Sequence, residues 1–221
     1  MASSEGPTIH TILRQQMVTS QLRARGIADE RVLEAMSRVP RHEFAPERFR
    51  DQAYEDHPLP IGEGQTISQP YIVAIMLEAL KLSPNDKVLE VGTGSGYVTA
   101  LLAELTADVM SIERHVSLAE SARSFLATLG YENVRVVTGN GWQGCPEAAP
   151  YNAIVVSAAA PEVPRALVAQ LAEGGRMIIP VGGGDSQQLQ LMRKQNGQLT
   201  TERREMCRFV PLVPSEPGAP P

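Results

Sequence analysis

A chain of 221 residues, 43% hydrophobic and 20% charged, is long enough for one domain with a full core and is ordinary for a globular protein. Its net charge of -5 gives no pull toward nucleic acid or an anionic membrane, and no apolar run reaches the roughly 18 residues that a membrane helix needs. Cys145 and Cys207 match no metal-ligand spacing, and the opening MASSEGPT lacks the basic and apolar stretches of a secretory signal, so a cytoplasmic protein without a metal is expected.

Residues 1–8 and the Pro-rich 214–221 read as flexible tails around a single domain, 9–213. Apolar residues at Ile9, Ile12, Leu13, Met17 and Leu22 predict a helix from Ile9 to Arg25, stopped by Gly26. A short helix over Asp29–Arg38 ends before Pro40. From Arg41 to Gln69 neither period persists, and three prolines and two glycines punctuate the stretch, which reads as a long ordered loop. A helix with Pro at its first turn follows over Pro70–Lys81.

Alternation then becomes regular. Strands are expected at Lys87–Val91, Asp108–Glu113, Val134–Thr138, Asn152–Val156 and Gly175–Pro180, with helices at Tyr97–Leu105, Ser117–Leu129 and Pro164–Leu171. Such βα repetition predicts an α/β fold with a doubly wound, mostly parallel, Rossmann-like sheet. Gln188–Lys194 and Gln198–Met206 flank Asn196-Gly197, a hairpin signal, so the sheet should end in an antiparallel edge.

The segment carrying most chemistry is Val88-Leu-Glu-Val-Gly-Thr-Gly-Ser-Gly-Tyr-Val-Thr. A buried strand runs into Gly92, Thr93, Gly94, Ser95 and Gly96 and then a helix, and Glu113 ends the next strand where a ribose-binding acid belongs. The spacing is tighter than the dinucleotide pattern, and no Gly-Lys-Ser/Thr follows to cradle phosphate. Glu90, two residues before the first glycine, would repel a pyrophosphate and suits a positively charged ligand. S-adenosylmethionine has a sulfonium, an ammonium and a ribose but no phosphate, so a methyltransferase is expected. After the third of these strands come Asn140, Gly141 and Trp142, where Asn140 either bonds the adenine edge or simply makes an Asn-Gly turn.

Three further stretches carry a resemblance over nearly the whole chain: Val39-Pro-Arg-His-Glu-Phe, Ile61-Gly-Glu-Gly-Gln-Thr-Ile-Ser-Gln-Pro, and Arg208-Phe-Val-Pro-Leu. With the glycine turn they are similar to the protein-L-isoaspartate O-methyltransferase family. The resemblance implies methyl transfer from S-adenosylmethionine to the free α-carboxylate of L-isoaspartyl residues in damaged proteins, starting repair through a succinimide. It places Ser68 as the active-site residue, and the glycine turn, Glu113 and the residues after the third strand as cofactor-binding. Thr66 is read as supporting the loop or the cofactor, and Trp142 as packing beside the adenine. The family usually has Asp where this chain has Asn140; the amide oxygen still accepts, so the change bears on cofactor affinity rather than chemistry. His42 and His57 read as hydrogen-bonding residues, since a carboxylate nucleophile is already ionised. Gly182–Gly184 reads either as a substrate-adjacent loop or, more simply, as a flexible connection. A monomer without nucleic acid or membrane partner is expected. The alternatives are a methyltransferase of a small molecule or RNA, which would lack the Thr-Ile-Ser-Gln-Pro stretch, and a non-catalytic cofactor-binding protein.

Overall fold

The structure is a computed structural model and describes residues 8–213. The expected tails lie outside that range except for Thr8, whose hydroxyl accepts the Thr11 N–H and caps the first helix.

The expected first helix is three consecutive turns of different pitch. α1 (Ile9–Gln16) continues as a wider π-helical stretch over Met17–Leu22 and tightens to a 3-10 turn at Arg23–Arg25. Thr19 Oγ1 bonds back to the Gln15 carbonyl at 2.9 Å, a local competitor of regular helix pairing. Gly26, with φ 97°, ends the run as expected. α2 (Glu30–Arg38) follows, with Asp29 as its N-cap.

The stretch 41–69 holds more regular structure than its composition suggests. It contains 3-10 turns at Arg41–Phe44 and Glu47–Gln52, then an antiparallel hairpin of β1 (Leu59–Gly62) and β2 (Gln65–Ile67). Strands of four and three residues interrupted by Pro and Gly are too short to show alternation in sequence. Arg41 is fully buried; its Nε donates to the Ala53 carbonyl at 2.7 Å, and its guanidinium lies over the Tyr97 ring. This bond fixes the chain leading into the hairpin.

α3 (Pro70–Leu80), β3 (Lys87–Val91), α4 (Tyr97–Leu105), β4 (Asp108–Glu113), α5 (Val116–Thr128) and β5 (Val134–Thr138) follow within a residue or two of expectation. β6 (Tyr151–Val156), α6 (Arg165–Gln170), β7 (Leu171–Val181), β8 (Gln187–Gln195) and β9 (Gln198–Cys207) complete the chain. β7 starts four residues earlier than expected, at Leu171, which pairs with Tyr151 before the register shifts.

The main sheet has the order β5-β4-β3-β6-β7-β8-β9, parallel from β5 to β7 and antiparallel at the β8–β9 edge. Asn196 and Gly197 turn that edge with φ 52° and 70°, as a two-residue hairpin requires. Side chains alternate between two apolar layers: Val88, Val109 and Ile178 enter one, Leu89, Met110 and Met177 the other. The strand order reverses between β3 and β6, so their carboxyl ends open a crevice.

Arg176 on β7 ties this sheet to α3. Its Nε donates to the Leu80 carbonyl at 2.7 Å, and Nη2 donates to the Lys81 carbonyl and to Asp86 Oδ2 at 2.7 Å. Both charged side chains are mostly buried, at 15% and 10% exposure. Breaking a buried pair from one side leaves its partner uncompensated. Arg176→Met is therefore expected to cost about 3–5 kcal/mol in urea unfolding, whereas loss of a surface pair such as Arg135–Asp108 should cost under about 1 kcal/mol.

Candidate active site

The crevice at the reversal of strand order is lined by the glycine turn, the end of β4, the hairpin strand β2 and the segment Val210–Val213. It encloses about 900 Å³ including its open mouth. Among the described residues lining it, Glu113 is the one acid and Arg114 the one cation.

The three glycines of the turn all have positive φ: 96° at Gly92, 54° at Gly94 and 88° at Gly96. L side chains rarely adopt this conformation, so the residue type follows from the backbone. Gly92 and Gly94 line the crevice, whereas Gly96 faces α5, where an added Cβ would meet Leu126 and Ala122 at 3.3 and 3.4 Å. Gly96 thus serves helix packing, while the first two glycines leave room at the crevice wall.

Glu113 is almost fully buried and held from both sides. Oε2 accepts the Gly94 N–H at 2.9 Å, and Oε1 accepts the His115 N–H at 3.0 Å. An ionised carboxylate offers about four acceptor positions, so two of them remain for a ligand.

Glu90 does not line the crevice. Alternation places it beside Val88 on the face covered by α4, opposite Ser111 in the parallel register. Its Oε2 accepts from Thr99 Oγ1 and Ser111 Oγ at 2.5 and 2.6 Å, and Ser111 Oγ also meets Thr93 Oγ1 at 2.5 Å. Through Oε2 the carboxyl is held one layer below the turn, against α4 and β4. Burial raises its pKa from 4.5 to about 8.

Asn140 makes the turn. Its Oδ1 accepts the Trp142 N–H at 3.0 Å, and its carbonyl accepts the Gln143 N–H. Asn140 and Trp142 are not among the lining residues, but Gly141 is, and a Cβ there would lie 2.6 Å from Val91. Trp142 donates its indole N–H to the Leu212 carbonyl at 3.0 Å, so it fastens the segment that closes one side of the crevice.

Thr66 and Ser68 line the crevice and also a second, wider groove of about 1600 Å³ including the open solvent at its mouth. That groove runs between the hairpin, Gly184–Ser186 and Met206–Pro211. Gly184, at the end of the Gly182–Gly184 connection, is one of its walls. Ser157, at the end of β6, also borders both spaces. Sequence reading left Ser157 and Arg114 unassigned, although each directly follows the end of a strand at the crevice. His42 bonds Tyr54 Oη at 2.7 Å and stacks on His10, and His57 bonds the Pro58 carbonyl and Glu55. Neither borders the crevice or the groove.

Fold and crevice together define an α/β domain of the methyltransferase class, with a groove beside the crevice. A sequence model described as protein-L-isoaspartate(D-aspartate) O-methyltransferase matches residues 13–217. The chain is 54% identical over 220 residues to the protein-L-isoaspartate O-methyltransferase of Koribacter versatilis, covering 100% of this chain and 99% of that one. It is 54% identical to that of Methanoculleus marisnigri, covering 90% and 91%. Among solved structures, a Plasmodium falciparum protein-L-isoaspartate O-methyltransferase in complex with S-adenosyl-L-homocysteine superposes with a TM-score of 0.80 at 30% identity, covering 90% of this chain and 98% of that one. The chain belongs to the protein-L-isoaspartate O-methyltransferase family.

The Glu90 carboxyl generates a pH prediction. The folded chain holds this proton to higher pH than the unfolded chain, so stability falls as pH rises from about 4.5 to about 8. Glu90→Gln keeps the hydroxyl contacts without the titration. Thermal unfolding between pH 5 and 9 should show a parental Tm that declines across this window and a flatter profile for the variant.

Proposed function

We infer that this chain transfers a methyl group from S-adenosylmethionine to the free α-carboxylate of L-isoaspartyl residues in damaged proteins. The observation that carries the reading is the junction at Ser68, which borders both the nucleoside crevice and the outer groove. The crevice suits the donor. Glu113 has acceptor positions free for two ribose hydroxyls, and among the described residues lining the wall there is no lysine and one cation, Arg114.

When bound, S-adenosylmethionine supplies a methyl on a positively charged sulfur, which leaves as a neutral thioether. The residues have no proton to move, because the attacking carboxylate is ionised at neutral pH. Their work is alignment and exclusion of water, which in well-oriented intramolecular systems is worth about 7–11 kcal/mol. Ser68 is proposed to donate one hydrogen bond to the isoaspartyl carboxylate, leaving its other oxygen free to attack. A cation there would stabilise the charged ground state more than the neutral ester being formed. Thr66 is proposed to support the hairpin strand against the donor. Thr93 and Ser95 support the turn, the latter by accepting the Tyr97 N–H. Once released, the ester closes to a succinimide as the neighbouring backbone nitrogen attacks and methanol leaves; hydrolysis then returns aspartate or isoaspartate.

We take residues 9–213 as one functional domain acting as a monomer in the cytoplasm, without a nucleic-acid or membrane partner. The net charge of -5 supports the nucleic-acid part of this reading.

The deciding experiment is radiolabelled methyl transfer to an isoaspartyl peptide and to its aspartyl twin. Label on the first alone is expected; equal labelling of both, or of neither, refutes the assignment. Calorimetry with S-adenosylhomocysteine should show Glu113→Ala binding about 10- to 100-fold more weakly, the loss expected for charged hydrogen bonds. Gly94→Val should be weaker still, since its backbone holds φ 54° and Ile61 lies 3.3 Å from the new Cβ. Ser68→Ala should keep parental affinity while kcat/KM for the peptide falls about 10- to 100-fold.

A further inference from the structure

Glu63 is the only charged residue between Leu59 and Ile67, and it stands at the tip of the β1–β2 hairpin. Its φ of 50° is left-handed, which is uncommon for a residue other than glycine, although Gly62 and Gly64 on either side offer that freedom. A side chain kept at such a position invites a functional explanation.

The carboxylate reaches out of the hairpin. Oε1 accepts from Ser117 Oγ at 2.8 Å, and Oε2 lies 3.8 Å from His115 Nδ1. Both partners belong to the start of α5, which has no acid in its first turn and no side-chain cap of its own. A helix N-terminus carries partial positive charge and favours an anion. The hairpin therefore adds a second carboxylate at this helix start. At the same helix start, the His115 N–H holds Glu113, and Ile61 of the hairpin rests against Gly94 of the turn. The hairpin thus forms a strap along the crevice, resting on the glycine turn and tied at its tip to the start of α5.

We propose that Glu63 is a positioning residue: by fastening the hairpin tip to α5 it holds Thr66 and Ser68 over the crevice and governs release of the spent nucleoside. This rests on the reading of the crevice as the S-adenosylmethionine site. The contact is half-exposed, so its strength is modest and falls with added salt. A modest latch suits a strap that opens once per turnover.

The test is stopped-flow release of S-adenosylhomocysteine, with steady-state KM for donor and peptide and a thermal melt. The variants are Glu63→Gly, Glu63→Gln, Ser117→Ala and the Glu63→Gly/Ser117→Ala pair. Glycine is the suitable truncation because it removes the side chain without adding strain at φ 50°. Glu63→Gly should release the nucleoside about three- to tenfold faster and raise donor KM more than peptide KM, with an unchanged melt. Glu63→Gln still accepts from Ser117 without charge and should fall between. Ser117→Ala should give a smaller effect, and the pair should not exceed Glu63→Gly, since both remove one contact. Parental release rates in Glu63→Gly and Ser117→Ala overturn the proposal, as do fully additive effects. Glu113→Ala separates the two levels. If it weakens binding while the Glu63 variants release normally, only the latch is wrong; if it too binds like the parent, the donor site is misplaced.

Discussion

The hydrogen bond from the Gly94 N–H to Glu113 joins the two strand ends on which the crevice depends. It forms because β3 and β4 run side by side in register, so the turn after β3 passes directly over the last residue of β4. The turn in turn needs positive φ at Gly92 and Gly94, which orients the N–H toward the carboxylate rather than along the strand. With the second oxygen held by His115, Glu113 presents a fixed edge, and a ligand need not supply the ordering of that side chain. The same turn is the surface on which Ile61 and the hairpin rest. Donor site and strap therefore share one foundation.

Beneath this floor lies a polar thread through an otherwise apolar layer: Thr93, Ser111, Glu90 and Thr99 in sequence of contact. It links turn, β4, β3 and α4 at one level of the sheet. The Ser111 and Thr99 hydroxyls offset part of the desolvation of the Glu90 carboxyl, and Thr93 ties the thread to the turn. Burial still dominates, which is why that carboxyl holds its proton near neutrality.

The sheet was legible in the sequence because β3, β4 and β6 are long enough to show runs of buried apolar residues between glycine and proline signals. Asn196-Gly197 marked the antiparallel edge by the same local logic. What escaped was structure whose cause is tertiary. The hairpin of β1 and β2 has too few residues to show a period, and its tip depends on Ser117, far along the chain. Glu90 lies near the turn in sequence, and the pleat directs it toward α4, where Thr99 meets it. Asn140 offered two readings, and its bond to the Trp142 N–H follows from local Asx geometry. Ser157 is legible in hindsight by the rule that residues after switch-point strands face the crevice.

Crevice and groove are built differently, and on the proposed function the difference fits a donor side and an acceptor side. The donor side uses strand ends and a glycine turn, rigid elements that suit one invariant nucleoside. The acceptor groove is walled by connections: the hairpin, Gly184–Ser186 and the chain after β9. Those connections are tied by few side-chain bonds, among them Phe209 N–H to Gln187 and the exposed Arg208–Asp185 pair. On the proposed function the acceptor is a damaged residue in many different proteins, so a deep, shape-specific pocket would reject most of them. An open groove with hydroxyls at its inner end can read the common feature, a carboxylate on an extended backbone, and leave the flanks free. Ser68 and Ser157 stand where the rigid and the open halves meet. The hairpin strand also borders both spaces, so on the proposed function its anchoring at Glu63 would bear on donor and acceptor together.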